Sequence, residues 1–149
     1  MKIRETIYGR GAVKGVAQGE ALISRKTIIG WGGIDIYTGE VIEKGHPLEG
    51  KSIKDKVLIL DGSRGSNGWS LFFHSAQVSG CGPAALIFPT LDSRTAVTAA
   101  VLNIPLVTDI NMAIEIDIFD LIRNGDIVRV DGNRGIIEVM EKVYDHGKI

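Results

Sequence analysis

The sequence predicts a mixed α/β fold, a β/β/α sandwich with its helices on one side, and three observations carry that prediction. Nineteen of the 149 residues are glycine, about 13% against roughly 7% in ordinary proteins. These glycines do not form a linker. They fall between short apolar segments, as tight turns between strands require. The third observation is the order of the segments: β-rich pieces first, then strand–helix–strand–helix–strand, then a terminal hairpin.

Taken in order, residues 3–8 read as a strand, and Gly9, Gly11, Gly15 and Gly19 bracket short pieces around Val13 and Val16. Residues 20–24 read as a strand, and residues 28–34 carry Trp31-Gly32-Gly33. Thr38-Gly39 is a turn, residues 40–43 a short strand, and Gly45-His46-Pro47 a loop, because proline lacks a donor and restricts the residue before it. Residues 56–60 form a compact apolar strand, followed by a polar, glycine-rich loop over 61–68. Trp69, Phe72, Phe73 and Ala76 then recur at helical spacing, which predicts a helix over 67–79. Residues 84–88 read as a buried strand. Asp92 or Ser93 caps a second helix running to Asn103, and residues 105–108 make another strand. A short helix over 118–123 ends at Asn124-Gly125, and residues 126–131 and 136–139 form two strands joined by Gly132-Asn133-Arg134-Gly135.

The length predicts one domain over residues 1–149, large enough for a core without disulfide help. A net charge of −1 gives no electrostatic case for nucleic acid or an anionic membrane. One cysteine, Cys81, excludes an internal disulfide framework, and its position between Gly80 and Gly82 fits a small buried residue. Met1-Lys2-Ile3-Arg4-Glu5 has no apolar leader, and no apolar run approaches the roughly 18 residues of a membrane span, so a cytoplasmic location is expected.

Elimination narrows the chemistry. His46, His74 and His146 lie too far apart for a local metal-ligand spacing, so no metal site is expected in this chain. Gly9, Gly11 and Gly15 miss the dinucleotide fingerprint by one residue, residues 62–66 lack the Lys-Ser/Thr pair of a P-loop, and Arg64 stands where a nucleophile elbow needs glycine. What remains is the loop Gly62-Ser63-Arg64-Gly65-Ser66-Asn67-Gly68, where a strand ends and a helix begins. Helix N-termini present free N–H groups to anions, Arg64 adds a forked cation, and a serine hydroxyl among such donors can be activated. An N-cap serine beside a surface arginine accounts for the same residues without function. Trp31-Gly32-Gly33 suggests a close backbone approach to a ligand or another chain, with a bulged strand as the plain alternative. His46 is a lone loop histidine of the kind that is usually structural or solvated, and Trp69 and the phenylalanines behind it fit a core better than a ligand box.

The ordered series of segments resembles one family. It comprises residues 15–24, Trp31-Gly32-Gly33-Ile34-Asp35 with Thr38-Gly39 and Ile42, residues 46–53, and residues 56–60 leading into Arg64-Gly65-Ser66. Residues 84–87 and 104–107 complete it. The chain resembles the small subunit, or swivel domain, of aconitase X-type dehydratases. Each motif alone is weak, and the order of them all is specific. The resemblance implies a swivelling β/β/α domain and a hydro-lyase that removes water from a small hydroxy acid, of the cis-3-hydroxy-L-proline or mevalonate 5-phosphate type. It implies a large partner subunit whose cysteines hold an iron–sulfur cluster, with no cofactor on this chain, which lacks the thiolates for one. It assigns Ser66 as the general base, with Ser63, Arg64, Gly65, Asn67, Gly32, Gly33 and His46 in the substrate pocket. Without its partner the chain is then expected to be inactive.

Two departures fall beside that pocket. Asn67-Gly68-Trp69 intervenes before Ser70 where the family has further serines, and Gly30 precedes Trp31 where the family has phenylalanine. His46-Pro47-Leu48 and Arg64 look closer to the hydroxyproline-type enzymes. Two alternatives stand beside this reading. Residues 92–105 and then 123–132 also resemble the C-terminal half of phosphohistidine carrier domains, but Ser93-Arg94-Thr95 occupies the place of the required histidine, so the activity is excluded and only architectural kinship remains. The other is a non-catalytic ligand-binding or assembly domain that docks a partner through exposed Trp31 and Trp69.

Overall fold

The computed structural model describes residues 2–64, 68–110 and 117–141. Eight strands and three helices follow in the order β1 (Ile3–Tyr8), β2 (Arg10–Val13), β3 (Val16–Ser24), β4 (Val57–Leu60), α1 (Trp69–Val78), β5 (Ala85–Ile87), α2 (Ser93–Leu102), β6 (Leu106–Thr108), α3 (Ile118–Leu121), β7 (Ile127–Asp131) and β8 (Ile136–Met140). The strands run β1-β8-β7-β3-β4-β5-β6-β2 across the sheet.

Strand β3 joins two halves of different character. Its first half, from Val16 to Glu20, pairs antiparallel with β7, and its second half, from Ala21 to Ser24, pairs parallel with β4. Side-chain burial follows the same division. It alternates between exposed and half-buried over the antiparallel part and becomes continuous over the parallel part. An antiparallel sheet can keep one face in water, whereas a parallel sheet must be covered on both. The sequence therefore encodes the change of sheet within one strand, as the alternating Val-Ala-Gln-Gly-Glu gives way to Ala-Leu-Ile-Ser.

Covering both faces of the parallel half makes three layers. Val57 and Ile59 of β4 join Ala85, Ile87 and Val107 on one face, packed against Ile7, Val128, Val130, Ile137 and Val139 from the antiparallel half. Leu58 and Leu60 join Leu86 and Leu106 on the other face, packed against Trp69, Phe73 and Ala76 of α1 and Ala99 and Leu102 of α2. This is the β/β/α order expected from the segments, with the two long helices on one side. The one-turn helix α3 differs, since its Ile118 belongs to the core between the two halves of the sheet. The end strands β1 and β2 are consecutive in the chain, so the sheet folds back until β2 meets the β7–β8 turn. There a Cβ on Gly11 would lie 1.9 Å from the Gly132 carbonyl oxygen, and only glycine permits that approach.

Most expected elements appear within a residue or two. The helix expected over 118–123 stops at Leu121, where Ile122 turns extended. Residues 40–43 do not form a strand. Glu40 and Val41 make only isolated bridges to Ser52 and Ile34. The Val41 amide donates to the Lys51 carbonyl and the Ile42 amide to the Gly33 carbonyl, so this stretch serves two different neighbours and no ladder propagates. Residues 31–33 form a turn, not a bulged strand. Among the described residues no helix is long and apolar enough to cross a membrane.

Because β4 is covered on both faces, Leu58→Ala and Ile59→Ala should each cost about 2–5 kcal/mol in denaturant unfolding, although they point in opposite directions. A strand with one wet face would show a large loss for one and a negligible loss for the other.

Candidate functional site

Strand β4 ends at Leu60 and releases the chain into the loop that leads to α1. Three groups from other elements hold its described part, residues 61–64. Asp92, the N-cap of α2, takes the Thr95 amide on Oδ1 at 2.8 Å. Its Oδ2 accepts from the Ser63 amide at 3.0 Å and the Ser63 hydroxyl at 2.9 Å. The second is Thr27, whose Oγ1 donates to the Gly62 carbonyl at 2.5 Å. Glu43 is the third, and its Oε2 lies 2.5 Å from Nη2 of Arg64.

Glu43 is 13% exposed. Its Oε1 accepts the Ile29 amide at 2.8 Å, and Lys26 Nζ stands 3.7 Å from Oε2. Burial alone would raise its pKa. The Ile29 amide and the Arg64 guanidinium outweigh that and hold it below the ordinary carboxylate range. Asp92 behaves alike, with burial opposed by the Thr95 amide and by the hydroxyl and amide of Ser63, and its pKa also ends lowered. Arg64 keeps one feature open. Its Nε is buried and makes no hydrogen bond among the described residues, while 38% of the side chain remains exposed.

His46 is buried at 4% exposure. Its Nε2 faces the carbonyls of Lys26 and Thr27 at 2.8 and 3.2 Å, and its Nδ1 accepts the Leu48 amide at 3.0 Å. Two carbonyls and one N–H require the proton on Nε2 and a bare Nδ1. Both ring nitrogens are thus engaged by backbone. His46 fastens the segment that carries Thr27, and Thr27 fastens Gly62.

The Trp31-Gly32-Gly33 turn sits against the start of α1. Trp31 is 79% exposed, and its ring meets Phe72 edge to face at 5.6 Å. A Cβ on Gly33 would lie 1.7 Å from the Ile29 carbonyl oxygen, whereas one on Gly32 would meet nothing within 4 Å. Gly33 is thus required by packing, and Gly32 stands open at the surface. Trp69 is buried beneath this turn, with Nε1 donating to the Ile28 carbonyl at 2.8 Å. An exposed docking role for Trp69 is therefore ruled out by its burial, and only Trp31 keeps an exposed ring. Helix α1 starts from Gly68 with no side-chain cap.

The structure thus brings Ser63, Arg64, Gly32 and Gly33 to the region around the start of α1 and sets His46 behind it. Gly65, Ser66 and Asn67 lie outside the described residues. Sequence reasoning missed Glu43, Lys26 and Thr27. Nothing marks Glu43 in the sequence except an acidic residue at the end of an apolar stretch.

An aconitase X swivel domain model matches residues 6–139. The chain belongs to the aconitase X swivel domain family. It is 41% identical over 133 residues to the phosphomevalonate dehydratase small subunit of Methanocella arvoryzae, covering 89% of this chain and 98% of that one. Against the protein of the same name from Pyrococcus furiosus it is 36% identical, covering 90% and 95%. The chain is thus a dehydratase subunit of the hydro-lyase class. The aconitase X of Thermococcus kodakaraensis, solved in its holo-form, superposes with a TM-score of 0.81 at 29% identity, over 92% of this chain and 99% of that one.

The residues of this swivel domain do not suit an iron–sulfur cluster. Its single cysteine, Cys81, is buried, with Sγ directed at the carbonyls of Ala76 and Ile36 at 3.3 and 3.4 Å. Among the described residues no group of three His, Cys, Asp or Glu is gathered as metal ligands would be.

Removing the N-cap through Asp92→Ala should cost about 1 kcal/mol in thermal or denaturant unfolding. The lowered carboxylates also predict an acid dependence. A group whose folded pKa is depressed contributes stability above its unfolded value, about pH 4, and loses it as pH falls through the folded value. Asp92→Asn keeps an acceptor for Thr95 but removes the titration. Melting curves between neutral pH and pH 3 should fall less steeply with acid for this variant than for the wild type. Parallel curves would exclude Asp92 as a contributor.

Proposed function

We propose that this chain is the small subunit of a dehydratase that acts on mevalonate 5-phosphate, with Ser66 as the general base and a larger subunit that holds the iron–sulfur cluster. The observation that carries the substrate is the near-full-length likeness to a phosphomevalonate dehydratase small subunit, 41% identical over 98% of that protein. The motifs around His46 and Arg64 favoured the hydroxyproline type. The relatives named above favour the phosphorylated substrate, and the burial of His46 removes part of the earlier ground.

The chemistry divides naturally between two chains. Loss of water requires a base on one carbon while the hydroxyl departs from its neighbour. In this reading the Ser66 oxygen, as its alkoxide, accepts the proton, and the C–H bonding pair becomes the new double bond. Arg64 binds the acidic group of the substrate, and loop amides beyond Ser63, whose own amide is donated to Asp92, stabilise the negative charge on that oxygen, since charge-assisted bonds of this kind are the strong ones. Gly32, open at the surface, gives the substrate close access to backbone, and Gly33, packed against the Ile29 carbonyl, holds the turn that presents it. His46 acts one step removed, by holding the Lys26-Thr27 backbone that anchors Gly62.

The test is reconstitution with an aconitase X-type large subunit. The complex should dehydrate mevalonate 5-phosphate, and each chain alone should not. Ser66→Ala should lower turnover by about 100-fold or more, the scale of a lost acid–base group, with assembly and melting temperature unchanged. Near-normal turnover by that variant would remove Ser66 from the mechanism. Dehydration of cis-3-hydroxy-L-proline alone would overturn the substrate. A complex that binds a small acid and turns nothing over would favour the non-catalytic binding domain.

A further inference from the structure

We propose that Glu43 is a positioning residue that sets the Arg64 guanidinium for the acidic end of the substrate; this rests on the reading of Arg64 as a substrate-binding group given above.

Four observations support it. Glu43 is one of the few largely buried carboxylates, and it touches two separate segments of the site. Its Oε1 takes the Ile29 amide, which leads into the Trp31-Gly32-Gly33 turn, and its Oε2 takes Arg64 from the loop after β4. Among the described residues the guanidinium is held through Nη2, and its buried Nε is left without a partner. A guanidinium fixed at one corner cannot swing away, and the exposed part of its fork remains available to a second anion. Lys26 stands beside the same carboxylate at 3.7 Å, so one negative charge gathers two cations and the pair leaves a net positive charge for an acidic ligand. The carboxylate is itself held from behind. His46, three residues on, binds the backbone of Lys26 and Thr27, and Ile29 lies two residues beyond Thr27.

Glu43→Gln separates positioning from folding. A glutamine oxygen still accepts the Ile29 amide, so the local fold is retained. Its amide nitrogen then faces the guanidinium donor to donor, so Arg64 is released.

In the reconstituted complex, Glu43→Gln should raise KM for mevalonate 5-phosphate by about tenfold, the scale of one charge-assisted hydrogen bond, with kcat changed far less. Arg64→Lys should raise KM similarly, and the double variant should be no worse than Arg64→Lys alone, because both remove one arrangement. Glu43→Asp should recover part of the loss. Unchanged KM in Glu43→Gln, or fully additive effects in the double variant, would overturn the proposal, as would a lowered melting temperature with wild-type kinetics. Nitrogen NMR of the Arg64 side chain in the full chain gives a readout independent of substrate. Its Nη signals should be separate in the wild type and averaged by free rotation in Glu43→Gln. If the wild-type complex fails to act on mevalonate 5-phosphate, the substrate reading fails, and the NMR comparison still decides the role of Glu43. Averaged signals already in the wild type would refute it.

Discussion

The structure depends on one strand that is dry on both faces. Val57 to Leu60 of β4 have no exposure, with an inter-sheet core on one side and the helical layer on the other. A strand so enclosed has no freedom to shift register, because a slip of one residue would exchange the two cores. The point where it ends is therefore fixed, and the loop it releases begins from a rigid origin. Placing chemistry on a loop anchored by a rigid element gives both access and aim.

The loop is held less by apolar packing than by carboxylates with defined partners. Asp92 takes two bonds from Ser63 and one from the start of α2. Glu43 takes Arg64 and the Ile29 amide. Each carboxylate thus joins two segments that are distant in the chain, and each is held ionised by the groups it joins. Charged clamps of this kind are directional in a way that apolar contacts are not, so they fix the path of the loop and the place of the Arg64 guanidinium.

The legible parts of the sequence were those with a period. Trp69, Phe73 and Ala76 fell on one helical face and are buried, and the apolar run of β4 announced a compact strand, which the structure covers on both sides. The capping of α2 by Asp92 could be read from its position before an apolar helix. The stretch between β3 and β4 resisted reading because it has no period. Its order comes from single bonds to scattered partners, as where the Val41 amide meets Lys51 and the Ile42 amide meets Gly33. Trp31 and Trp69 both sit beside glycines, yet one is 79% exposed in a turn and the other is buried at the start of α1. Glu43 looked like any solvated carboxylate, since its partners lie 14 and 21 positions away in sequence. Elimination of other motifs singled out the loop after β4, and the family resemblance supplied what periodicity could not, namely an expected role for it.

The central claim is that the Ser66 hydroxyl and the Arg64 guanidinium face one substrate across a cleft that a second polypeptide closes. A crystal structure of the two-subunit complex with mevalonate 5-phosphate bound tests it most directly. The account predicts Ser66 Oγ within about 3.5 Å of the carbon that loses its proton and Arg64 on an acidic group of the same molecule. A substrate seated entirely within the larger subunit, with the loop after β4 turned away from it, would contradict the account.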